Sequence, residues 1–273
     1  MVTLTGMRRP KMTTLDTLAV QERRLYLTAE RRLGHDYVVA REATLLLTTF
    51  IKSVSFNRQV FASYLADLKK HQTLALLSIV RRHHVQAMMD FRQVLETASN
   101  AAYALAHPDA EYADPDTGLI LEPKPISNRS YEWIAREFPL HSNDLKGAKD
   151  GLNATDAHSN LVNSSRIFDA DVDGGLFETA FFDKDDVHVT KTDLLHITAG
   201  ALCIMHLLVS VMKKHGGFVV ADDWIQRANR VHADREMLAT EIKATPRFKA
   251  AMEASDRAEE AKKAAKDSRK SKR

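Results

Sequence analysis

One cysteine, Cys203, stands in a chain of 273 residues. It excludes an internal disulfide and a zinc cluster built from several cysteines of one chain, and it suits a reducing compartment. Glycine and proline are sparse, ten and seven, which disfavours a sandwich or barrel with its many tight turns. A secretory leader is not expected, because Arg8, Arg9 and Lys11 are followed by further charged residues instead of an apolar run. Long uncharged runs are nearly absent too. One stretch, Leu194 to Met212, holds nineteen residues without a formal charge, about the length of a membrane span. It contains His196, Thr198, Gly200, His206 and Ser210 and has no second such run beside it, so a buried central helix is the expectation, in a soluble cytoplasmic protein with no membrane partner.

The hydrophobic share of 44% and the charged share of 27% are those of a globular chain, and the length suffices for a self-supporting core. The net charge of +3 is uneven. Residues 247–273 carry ten basic and five acidic side chains, +5 in all, which leaves −2 for the rest. Only this tail offers nonspecific phosphate contacts, and a solvated, fraying helix explains it as simply.

Helical periodicity begins near Thr14 and Asp16, both N-cap types, and runs to Gly34. A second helix is expected from Val38 to Ile51. Ser55 or Asn57 then caps a segment reaching His107, with one break expected near His71. No glycine or proline interrupts the chain between Gly34 and Pro108, a pattern hard to reconcile with sheet. Asp114-Pro115-Asp116-Thr117-Gly118 reads as a turn, and Pro123 and Pro125 argue against regular helix there. Short helices are expected at 130–138 and from Asn143 to Phe168, the latter interrupted at Gly147 and Gly151. Asp173-Gly174-Gly175 between two β-like runs signals a hairpin. A long helix follows from Thr190 to His215, closed by Gly216, then another from Ala221 to Lys243, and Thr245-Pro246 restarts a last one. The expected fold is mainly α: a helical bundle over 13–245, with a loop at 108–130 and a hairpin at 167–189, preceded by a flexible 1–12 and followed by a charged helix or tail at 246–273.

Arg92, Glu96, Ser99 and Tyr103 fall at helical intervals and share a stripe beside an apolar face. The stripe either lines a polar pocket or is a helix edge with an i,i+4 ion pair. His158 is flanked by Asp156, Ser159, Asn160 and Asn163, and the aspartate could orient its imidazole, or the histidine could cap or bridge helices.

Arg92-Gln93-Val94-Leu95-Glu96, then Tyr103, His107-Pro108-Asp109 and Asp156-Ala157-His158-Ser159-Asn160 leading to a hairpin and a long apolar helix, together resemble an uncharacterised family of bacterial helical proteins. That family is similar to HEPN-type helical bundles, some of which are metal-independent ribonucleases of antiviral and toxin systems. The resemblance implies a protein that acts on or binds RNA in stress or phage defence. His158, Arg92 and Glu96 would be catalytic, Tyr103 and Asn160 substrate-binding, and no cofactor or metal would be needed. HEPN ribonucleases pair an arginine with a histidine four to six residues later. Arg136 with His141 and Arg227 with His232 have that spacing, but Pro139 divides the first pair and the second is about 140° apart on a helix.

Two metal readings are weaker. Asp169 to Gly174 matches half of a calcium loop, but position twelve is Ala180, so an acidic hairpin turn is expected. His196, Cys203 and His206 share one apolar helix without a carboxylate on that face, and are read as polar groups satisfied within the bundle. The alternative function is a noncatalytic bundle that mediates protein–protein interaction, with homo-oligomerisation possible.

Overall fold

A computed structural model describes residues 14–109, 112, 123–155, 161–171, 176–254 and 256–257. The protein is a mainly α helical bundle with a small β-hairpin. The order is α1 (Leu15–Leu27), α2 (Ala29–Leu33), α3 (His35–Thr49), β1 (Ile51–Val54), α4 (Gln59–Val80), α5 (His84–Ala106), α6 (Pro123–Glu137), α7 (Pro139–Thr155), α8 (Leu161–Ser165), β2 (Phe168–Asp171), β3 (Leu176–Thr179), α9 (Val187–His215), β4 (Phe218–Val220) and α10 (Trp224–Ala244). The chain is again helical over 246–254. There Thr245 Oγ1 accepts from Phe248 N at 3.2 Å, as the Thr-Pro restart requires.

α9 is the centre. It packs on α3, α4, α5, α7 and α10, and residues from Leu194 to Val211 are buried around nearly its whole circumference. By length and composition α9 could cross a membrane, but 72% of its most apolar window is buried inside the protein. α3 and α5 bury repeating i, i+3, i+4 stripes, Val39-Ala43-Leu46-Leu47 and Ala87-Phe91-Val94-Leu95-Ala98, which face this core.

A few buried polar contacts fix the register of these helices. Lys191 Nζ meets the buried Asp36 at 2.6 Å. Gln72 Nε2 reaches both Thr44 Oγ1 and the Ile197 carbonyl at 3.3 Å. His84 Nδ1 lies 2.6 Å from Asp193 Oδ2, with both side chains 8% exposed. Each joins α9 to another helix, which apolar contact alone orients less specifically.

The break between α4 and α5 falls at Arg81–His83, not at His71. Arg82 turns the chain with φ +67°, a left-handed conformation unusual for a side-chain-bearing residue. Asp183 supports it from outside: its carbonyl accepts from Arg82 Nε at 2.7 Å and its carboxylate accepts from His84 N, capping α5. α3 stops at Thr49, and Ile51–Val54 pairs antiparallel with Phe218–Val220. Helix was expected to Ile51; four residues are too few to show a period, and their partner lies across the sequence. α6 starts at Pro123 and contains Pro125, because proline is tolerated in a first turn whose N–H groups have no helical acceptor. α7 passes through Gly147 and Gly151 without interruption. The hairpin is shorter than expected, pairing Phe168 with Thr179 through Asp171 with Leu176, and α9 begins at Val187. Its Asp173-Gly174-Gly175 turn lies outside the described residues.

Candidate functional site

Between α5, α7, α9 and α10 lies a cavity of about 900 Å³. It exists because two facing helices carry small residues: Gly147, Ala148 and Gly151 on α7, Ala199 and Gly200 on α9. A Cβ added at Gly147 or Gly151 would meet nothing within 4 Å, whereas one at Gly200 would lie 2.5 Å from the Phe91 ring. Gly200 thus admits Phe91 to the wall, and the α7 glycines leave space beyond it. Phe91, Leu95, Leu145, Leu152 and Leu202 give apolar walls, while Asp144, His196, Cys203, His206, Asn229, His232 and Arg235 add polar groups. Apolar walls with a few polar groups are the general make-up of small-molecule pockets. Arg235 brings a guanidinium to this wall, and its Nη1 donates to Glu236 on the same helix.

His141, Asp144 and Cys203 converge at one edge, with one ligand atom of each within 4.8 Å of the others. Burial pushes the Cys203 thiol up to about 12, and the Asp144 charge adds to this, so it is a protonated thiol and no activated nucleophile. Burial lowers His141, against the opposing effect of Asp144. His206 is lowered by burial first, then by His141, His232 and Lys213. These imidazoles are neutral donors or ligands near neutral pH.

The Arg92 stripe divides into three environments. Arg92 Nε donates to Glu96 Oε1 at 3.2 Å, the i,i+4 pair of the edge reading, but Glu96 also receives Lys149 from α7 at 3.1 Å. Lys149 continues to Tyr131 Oη at 3.1 Å on α6. Arg92 and Glu96 line a second cleft of about 440 Å³ with His71 and Asp90, and His71 Nδ1 is 3.0 Å from Asp90 Oδ1. Ser99 is fully buried and donates to Leu95 O. Tyr103 stacks on His107 with ring centroids 4.2 Å apart and meets Trp133 edge-on, away from the charged pair. His158 and Asn160 lie outside the described residues.

No protein-family model, curated protein or solved structure matches this chain.

Neither arginine–histidine pair of HEPN spacing forms a unit. Arg136 engages Glu137 and His141 faces Ser210. Arg227 donates to Glu42 on α3 at 2.7 and 2.9 Å, while His232 lines the main cavity. The carboxylate that α9 lacks beside Cys203 comes from Asp144 on α7. The i,i+3 spacing of His141 and Asp144 on a helix with a small-residue face was the available signal.

Proposed function

We propose that this protein is a helical-bundle receptor for a small organic molecule, held in the cavity between α5, α7, α9 and α10. The observation that carries the reading is an apolar cavity of about 900 Å³ with the Arg235 guanidinium among its few polar lining groups. A ligand with an apolar body and a carboxylate or carbonyl oxygen satisfies both. The test is thermal unfolding of the full chain with octanoate and with a bicyclic aromatic carboxylate, after treatment with a chelator. Saturable stabilisation that is lost in Ala148→Phe and weakened in Arg235→Ala supports the receptor. Equal shifts in all three proteins, or none, reject it.

A second reading, HEPN-like action on or binding of RNA in the cytoplasm, is favoured by the second cleft. Arg92 and Lys149 both meet Glu96 Oε1, and the aspartate-bound His71 lines the same cleft as Arg92 and Glu96, a set able to hold a phosphate and move a proton. Incubation with mixed RNA tests it: cleavage or retention by the wild type that Arg92→Ala and His158→Ala reduce supports the reading, and activity indifferent to both substitutions removes it.

A further inference from the structure

The edge of the cavity holds two short motifs that face each other across a helix pair. α7 presents His141 and Asp144 at i,i+3; α9 presents Cys203 and His206 at i,i+3. Residues three apart share a helix face, so each pair offers two donors in one direction, and α7 packs on α9. Helical bundles build metal sites in this way, with i,i+3 ligand pairs projecting from facing helices. Three of the four donors already lie within 4.8 Å of one another. A metal with ligand bonds of about 2.0–2.3 Å brings tetrahedral ligands to roughly 3.3–3.8 Å from each other, so the closure required among these three is at most about 1.5 Å.

We propose that His141, Asp144 and Cys203, completed by His206, bind a divalent transition metal of the zinc type. The donor set of thiolate, imidazole and carboxylate favours Zn²⁺ over Mg²⁺ or Ca²⁺, which take oxygen ligands. Ser210 supplies the outer contact that orients such a ligand. Its hydroxyl donates to the His206 carbonyl at 2.8 Å, so towards His141 Nε2, 3.3 Å away, it has only a lone pair to offer. That arrangement suits the tautomer protonated on Nε2, which would leave the Nδ1 lone pair for a metal. Binding would form a metal–sulfur bond and release the thiol proton to solvent, with no change of oxidation state. The proposal stands on these side chains and is independent of an organic ligand in the cavity.

Co²⁺ is the probe, titrated into chelator-treated full-length protein. The expected result is one Co²⁺ per chain, with the intense visible bands of tetrahedral coordination and a near-ultraviolet thiolate-to-cobalt band. Cys203→Ser should lose the near-ultraviolet band. Asp144→Asn, at an exposed position, should weaken binding at least about tenfold, and Ser210→Ala by a similar factor through misorientation of His141. Absence of tetrahedral bands at excess Co²⁺ overturns the proposal, as does a thiolate band that survives Cys203→Ser. If Cys203→Ser fails to fold by circular dichroism, Asp144→Asn decides: unchanged Co²⁺ affinity overturns the site. The carboxylate-ligand assay is run without metal, so either idea can fail while the other stands.

Discussion

His84 Nδ1 and Asp193 Oδ2 approach to 2.6 Å in the interior, joining the first turn of α5 to α9. Removing one member breaks a buried, hydrogen-bonded pair, which costs up to about 3–5 kcal/mol. His84→Leu and Asp193→Leu should each lower stability by that order, and the double substitution should cost less than the two single effects added together. Urea unfolding of the four proteins in a double-mutant cycle measures the coupling.

Asp186 caps α9 by accepting from Val189 N at 3.2 Å and receives a fork from Arg247, at 2.8 and 2.6 Å. The Arg247 hydrogen bonds, assisted by the backbone N–H groups, hold its carboxyl below the ordinary value. A depressed carboxylate stabilises the fold above its unfolded value, near about pH 4, and that contribution is lost as pH falls through the folded value. Asp186→Ala should cost about 1 kcal/mol at neutral pH. The difference from wild type should shrink below about pH 4 in urea titrations at stepped pH.

Gly200→Ala places a methyl group 2.5 Å from the Phe91 ring. Overpacking costs about 1–3 kcal/mol, and the better helix propensity of alanine returns up to about 1 kcal/mol. The expected net loss is about 1 kcal/mol by thermal unfolding. The displaced ring moves into the cavity that it lines, so carboxylate binding should fall much more than stability does.

Lys149 joins α5 to α6 through Glu96 and Tyr131, with side chains a quarter to a third exposed where it meets Glu96. Solvent screening keeps such a pair small. Lys149→Met should change stability by less than about 1 kcal/mol, while retention of RNA at low salt, if it occurs, should drop.

The bundle was legible in the sequence where periodicity runs long. α3, α5 and α10 follow their apolar stripes and α9 its long uncharged run, and Gly216 ends α9 with φ +69° and its N–H on Met212 O, as its C′ role requires. The turn at Arg82 was not legible, because it is imposed by Asp183 and not by a local breaker. Nor was β1, whose partner Val220 is remote in sequence. Pro123 and Pro125 are helix breakers in the interior but not in a first turn, so their position had to be known before their effect. Of the site, the Arg92–Glu96 pair follows from spacing alone. The cavity does not, since Phe91, Ala148, Gly200 and Arg235 come from four helices, and the meeting of Asp144 with Cys203 depends on how α7 lies against α9.

The central place of α9 has a cost at the ribosome. α3, α4 and α5 emerge early with apolar faces shaped for a helix that is translated more than a hundred residues after α3 ends. At ordinary elongation rates that interval is on the order of ten seconds. Through it the nascent chain carries an uncovered groove and an unpaired β1 edge, so its passage to the native state falls in the window where holding chaperones act.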